Sequence, residues 1–147
     1  MEKLKVAVML LILSILISGC DNNQTNTTNK PEIDLFLEPS SIIISESTSA
    51  VKLTLTKKDS ESPAAFFVIQ LDSPEEANVY FIGENGEKIS SINTTLFENK
   101  GDRKVYPLTI KAKKDSTKDE VAYTLNIRLS YNGEDLGNTQ KLKVIVR

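Results

Sequence analysis

The sequence contains no histidine and no tryptophan, and it has a single cysteine. Without His, the commonest general base near neutral pH and the commonest transition-metal ligand are both missing. A Ser nucleophile would need a Lys base, and no S-x-x-K tetrad stands at a recognisable nucleophile turn. A lone Cys closes no internal disulfide, so core burial must hold any folded domain together. Cations are also scarce, with 18 Lys and Arg against 20 Asp and Glu. That balance leaves no basic footprint for nucleic acid, and no nucleic-acid partner is expected. It also gives no means of holding an anionic lipid surface by charge alone. No D-x-[DN]-x-[DN]-G run is present for Ca²⁺, and neither cofactor nor metal is expected.

The long apolar run is confined to the start of the chain. Met1–Lys5 carries Lys3 and Lys5, and Val6–Ile17 is an uncharged apolar run of twelve residues. A spanning helix needs about 20 apolar residues, so this run suits the core of a signal peptide. The small residues Ser18 and Gly19 follow, then Cys20. The segment Ile17-Ser18-Gly19-Cys20 resembles the lipobox of prokaryotic lipoproteins. The resemblance implies that the Cys20 thiol takes a diacylglyceryl group and that cleavage makes Cys20 the new N-terminus. Residues 1–19 are then signal peptide, and the mature chain keeps 16 basic against 19 acidic residues. The expected location is the extracytoplasmic face of the cell membrane, with the membrane itself as a partner through the lipid on Cys20. Two acyl chains anchor firmly, at about 0.8 kcal/mol per buried methylene, where one chain is marginal. The same residues are also compatible with an uncleaved signal anchor or with a secreted product cleaved without lipidation.

Asp21–Pro31 contains no aliphatic or aromatic side chain apart from its closing proline. It cannot cover a core and reads as a flexible tether, so residues 20–31 form the lipidated Cys and spacer. An acidic residue directly after the lipidated position resembles the inner-membrane retention signal of Gram-negative lipoproteins. Three N-x-[ST] sequons, at Asn23, Asn26 and Asn93, are candidate glycosylation sites, and chance in an Asn- and Thr-rich segment accounts for them equally simply.

From residue 32 the hydrophobic period is two. Ile33–Leu37, Ile42–Ile44, Val51–Lys57, Ala64–Leu71, Val79–Ile82, Ile92–Phe97, Val105–Ala112, Tyr123–Tyr131 and Leu142–Val146 read as strands. Asn85-Gly86 and Asn132-Gly133 supply hairpin turns. No segment sustains a helical period. Each strand buries one face, and for about 115 residues two antiparallel sheets packed face to face satisfy that demand. The predicted fold is therefore an all-β sandwich spanning residues 32–147. Within it, Asp119–Leu125 resembles the tyrosine corner of immunoglobulin-like sandwiches, in which a Tyr such as Tyr123 bonds its hydroxyl back to nearby backbone. Leu125 stands where antibody domains carry their second Cys, and the Trp and disulfide of those domains are absent. The chain thus resembles the disulfide-free immunoglobulin-like modules of prokaryotic surface proteins, closely over residues 100–147 and loosely over 32–99. No functional residue transfers with that resemblance.

The remaining chemistry is sparse. Carboxylates occur as local pairs, Asp59/Glu61, Glu75/Glu76, Glu84/Glu87, Asp119/Glu120 and Glu134/Asp135, and read as solvated turn residues. Lys111, Lys113, Lys114 and Lys118 interleave with Asp115 and Asp119 and read as a loop guarding a sheet edge. Ala64–Ile69 is the most apolar stretch after the signal and fails to alternate. It is either a central strand covered on both faces or an exposed stripe, Phe66, Phe67, Val68 and Ile69, that docks a partner. The function expected from these features is that of a membrane-anchored, non-enzymatic module contacting an envelope protein or glycan. The alternatives are a ligand-binding accessory lipoprotein of a transporter or sensor, and an envelope-associated hydrolase.

Overall fold

A computed structural model describes residues 30–45, 47–60, 66–74, 78–114 and 117–147. The signal reading, Cys20, Asn23 and Asn26 lie outside these residues, as do Glu61, Ala64, Ala65, Glu75, Glu76 and Asp115.

Nine strands form among the described residues: β1 Ile33–Glu38, β2 Ser41–Ile44, β3 Thr48–Lys57, β4 Val68–Asp72, β5 Val79–Ile82, β6 Ser91–Asn93, β7 Arg103–Ala112, β8 Val121–Tyr131 and β9 Glu134–Val146. Successive side chains on a strand point to opposite faces, and the sequence alternation maps onto burial directly. On β1, Ile33, Leu35 and Leu37 are buried while Asp34, Phe36 and Glu38 are exposed. On β8, Leu125, Ile127 and Leu129 face inward.

The strands build two sheets, ordered β1-β3-β7-β5 and β2-β9-β8-β4-β6. The inner faces meet in one apolar core to which both sheets contribute, including Leu53, Leu55, Ile110, Ile127 and Val144. Pairing is antiparallel throughout except that β2 runs parallel to β9, with Ile42 opposite Val144 and Ile44 opposite Val146. The chain changes sheet at every connection from β1 to β8, and only β8 and β9 are consecutive strands of one sheet. After β1 it leaves β3 and joins β9 as β2. After β5 it turns through Asn85-Gly86, bridges Ile82 at Lys88, and passes to β4, where Leu71 N–H donates to the Ser90 carbonyl at 2.8 Å.

Most strands extend a residue or more beyond their expected bounds, and three differ in kind. The strand expected at Ile92–Phe97 is regular only over Ser91–Asn93; Thr94 and Phe97 stay buried in irregular backbone. The stretch Ala64–Leu71 is regular from Val68 among its described residues. The last strand begins at Glu134 rather than Leu142, because the Asn132-Gly133 turn (φ 51° and 81°) folds it directly back on β8. The register of that pair shifts between Arg128 and Ser130, where the β9 residues around Gly137 bulge. The bulge carries Asn138 toward β1, and its amide donates to the Ile33 carbonyl at 2.8 Å.

The tyrosine corner is not formed. Tyr123 is half-buried along the inward row of β8, and its hydroxyl makes no hydrogen bond to the described residues. The row that holds Leu125 and Ile127 turns the Tyr123 ring toward the core and not toward the preceding loop. The tyrosine that does bond backbone is Tyr106 on β7, whose hydroxyl accepts from Thr95 N–H at 3.3 Å.

Candidate functional site at the N-terminal end of the sandwich

Seven strand termini converge at the end where the described chain begins: the starts of β1, β4, β7 and β9 and the finishes of β3, β6 and β8. Lys30 is fixed there by an ion pair from its Nζ to Glu134 Oε2 at 2.7 Å, just beyond the β8–β9 turn.

Beneath this end lies an aromatic cluster. The Phe67 ring meets Phe97 edge-to-face at 5.5 Å and Tyr131 at a 40° tilt, also at 5.5 Å. Lys104 Nζ sits 5.6 Å from the Phe97 ring centre, a cation–π distance. The backbone around the cluster is fully tied. Phe67 N–H donates to the Thr94 hydroxyl at 3.0 Å, and Thr94 N–H returns to the Phe67 carbonyl at 2.8 Å. Buried Thr94 therefore gives its side chain to a backbone donor that would otherwise be orphaned.

The four-residue apolar stripe divides on this scaffold. Phe67 is 1% exposed and Ile69 is fully buried, so neither is available to a partner; both are core. Phe66 is 62% exposed and Val68 is half-buried on the outer side. Alternation was hidden in the sequence because all four outward and inward residues are apolar. A second exposed apolar side chain, Leu96 at 38%, stands next to buried Phe97 as Phe66 stands next to buried Phe67. The antiparallel register that sets Val68 opposite Asn93 places Phe66 opposite Thr95 when continued, so Phe66 and Leu96 share this end.

Many polar groups of the same end are paired among themselves. Lys57, at the close of β3, points inward and is 1% exposed. Its Nζ donates to the Asp59 carbonyl at 2.6 Å and faces Asp59 Oδ1 at 3.4 Å, while Asp59 Oδ2 accepts from Glu32 N–H at 2.6 Å. Lys58 pairs with Asp34 at 2.7 Å, and that hydrogen bond and charge raise the Lys58 pKa. Asp102 Oδ2 accepts from Glu98 and Asn99 N–H at 2.9 Å each, and those two donors hold its carboxyl below the usual range. The Lys30 ammonium lowers Glu134 in the same way. Asp135 is lowered first by the Gly137 N–H and then by Arg128. Arg128 in turn bridges Asp72 at 2.8 Å and Asp135 at 3.2 Å across the outer face of its sheet, and both carboxylates raise its pKa, Asp72 more. Exposed pairs of this kind are screened by water and contribute little to stability.

The other sequence-derived candidates are dispersed. Asn93 is exposed on edge strand β6 and accessible, with its sequon partner Thr95 also exposed. Glu84 and Glu87 lie in the exposed β5–β6 turn, and Asp119 and Glu120 lie at the opposite end, where Glu120 pairs with Arg147 at 2.7 Å. Lys111, Lys113, Lys114 and Lys118 are exposed. Among the described residues no group of three or more His, Cys, Asp or Glu is placed to hold a metal ion. Sequence reasoning missed one feature. On the outer face of the β1-β3-β7-β5 sheet, Phe36 (58% exposed) and Val105 (56%) flank buried Thr54 in one cross-strand row, with exposed Pro107 beside it. The outward positions of β1 and β7 hid it, since each strand's pattern was read for its inward residues only.

No protein-family model matches the sequence, and no curated protein matches it. Solved structures of similar fold include native alpha-2-macroglobulin from Escherichia coli from domain MG7 to the C-terminus, with TM-score 0.54 and 13% identity over 80% of this chain and 17% of that one. A cryo-EM reconstruction of native E. coli alpha-2-macroglobulin matches with TM-score 0.53 and 15% identity over 78% of this chain and 6% of that one. A FixG-related protein from Vibrio parahaemolyticus matches with TM-score 0.50 and 10% identity over 80% and 96%. This chain spans less than a fifth of the macroglobulin structures. At these identities the likeness is one of fold. The domain is an immunoglobulin-like β-sandwich.

Proposed function

We propose that the chain is a lipid-anchored envelope protein that presents this sandwich as a non-enzymatic interaction or structural module. The observation that carries the reading is the placement of Ile17-Ser18-Gly19-Cys20 after a twelve-residue apolar run and ten residues ahead of Lys30, the first residue of the described domain. Cleavage before Cys20 and acylation of its thiol leave a short polar spacer and then a self-contained sandwich. The sandwich supports the module reading through its partly ion-paired surface, on which exposed apolar side chains stand at a few places. A contact with an envelope protein or glycan would use such places. The test is metabolic labelling with a fatty acid, followed by membrane fractionation and mass measurement of the mature N-terminus. Wild type is expected to carry the label, to sediment with membranes and to begin at a diacylglyceryl-modified Cys20. Cys20→Ala should lose all three. A variant that keeps its label and membrane fraction would refute the anchor.

A further inference from the structure

An anchor on Cys20 would enter the sandwich at the end that carries Phe66 and Leu96. Ten residue steps lead from Cys20 to Lys30. Fully extended they reach about 33–36 Å, and as a flexible coil about 16–19 Å. Lys30 stands three residues before β1 and pairs with Glu134, so a tether from a lipid on Cys20 would enter at this end of the sandwich and not at the far end that carries Arg147. Five large apolar side chains are exposed among the described residues. Phe36 and Val105 lie on the side of one sheet, and Ile43 lies opposite Ile145 toward the far end. Phe66 and Leu96 are the two that stand at the end where Lys30 enters.

Their support is rigid. Each precedes a buried Phe, and the two Phe rings pack on each other at 5.5 Å. The charges at this end are of both signs: Lys30, Lys58, Asp102 and Glu134 are engaged within the chain, and exposed Glu98, Lys100 and Arg103 add no patch of one sign. An anionic surface would gain little from them, whereas an apolar side chain entering the headgroup region removes its area from water. We infer that, given the lipid anchor at Cys20, this end of the sandwich docks on the bilayer surface with Phe66 and Leu96 inserted among the lipid headgroups. The anchor then fixes the domain's orientation as well as its location, and leaves the Phe36–Val105 face turned sideways and free.

The absence of tryptophan makes the test direct. Phe66→Trp places a single indole at the proposed contact, and Phe36→Trp places one on the lateral face. The lipidated protein is reconstituted into phosphatidylcholine vesicles, with and without phosphatidylcholine brominated on its acyl chains, and vesicle flotation confirms attachment. In floated Phe66→Trp the emission is expected to shift to the blue on reconstitution and to lose intensity with brominated lipid. Phe36→Trp should do neither, and added salt should not reverse the Phe66→Trp signal. Leu96→Trp provides a second probe with the same expectation. Protein that fails to float refutes the anchor, and the docking falls with it. Protein that floats while both probes stay solvent-like and unquenched overturns the docking alone. A blue shift without bromine quenching, growing with protein density in the vesicle, would assign the surface to a second copy of the chain and also overturn it.

Discussion

Phe66 and Phe67 are adjacent in sequence and opposite in burial, so one substitution made at both positions tests the register of the whole β4 edge. Phe67→Ala removes a ring that packs against Phe97 and Tyr131. Buried Phe→Ala changes cost about 3–5 kcal/mol, the spread reflecting how far a site collapses around the void. Collapse should be poor here, because Phe67 is tied to Thr94 in both directions and Tyr131 ends a long paired strand. A cost near 4 kcal/mol is therefore expected, within which lost ring–ring geometry accounts for about 0.5–1.5 kcal/mol per pair. Phe66→Ala removes a mostly solvated ring and should change stability by less than about 0.5 kcal/mol. Urea unfolding followed by far-ultraviolet circular dichroism separates the two. With a slope of about 1.5 kcal/mol per molar urea, Phe67→Ala lowers the midpoint by about 2–3 M and Phe66→Ala by about 0.3 M or less. Equal shifts, or a larger shift at Phe66, would show that the assigned register is wrong.

Other substitutions probe the same end of the molecule. Thr94→Val strips the acceptor from the Phe67 N–H and should cost about 1–3 kcal/mol in the same assay, with Thr94→Ser restoring most of it. Lys57→Met should be neutral or stabilising, because an apolar chain replaces a buried ammonium, whereas Asp59→Ala leaves that ammonium without its carboxylate and should destabilise by about 1–3 kcal/mol; the reverse order in thermal melts would refute the pairing. Gly133→Ala forces a side chain onto a residue at φ 81° and should cost about 1 kcal/mol, read as a lowered melting temperature. Asp102, Glu134 and Asp135 have folded-state pKa values below their ordinary ones. Groups of that kind stabilise above their unfolded-state pKa and lose the contribution as pH falls through the folded value. The melting temperature should therefore hold down to about pH 5 and decline below about pH 4. Asp102→Asn keeps an acceptor but cannot titrate, and it should flatten part of that decline; an unchanged acid slope would count against the two backbone donors as its cause.

The outward residues were the least legible part of the chain. Alternation names the buried half of a strand reliably because burial demands apolar side chains, but it places no such demand on the exposed half. Phe36 and Val105 were invisible for that reason: Phe36 lies between inward Leu35 and Leu37, Val105 between Lys104 and Tyr106, and only the pairing of β1, β3 and β7 sets them either side of Thr54. Phe66 was visible only as part of a run that did not alternate. Tyr123 was misread because its spacing from Leu125 matched a motif whose hydrogen bond depends on the path of the preceding loop. The early start of β9 was hidden because Glu134–Lys141 lies on a partly open edge, where neither face needs to be apolar and the strand exists through its ladder to β8.

The sequence alone determined the all-β class, the inward rows of nearly every strand and both Asn-Gly turns, since each depends on local spacing and composition. Tertiary structure decided which strands share a sheet, the parallel seating of β2 on β9, the burial of Lys57, and the gathering of Phe66 and Leu96 at the end where Lys30 enters. Those outcomes depend on contacts between residues far apart in the chain, and no local pattern encodes which distant partner a strand will find.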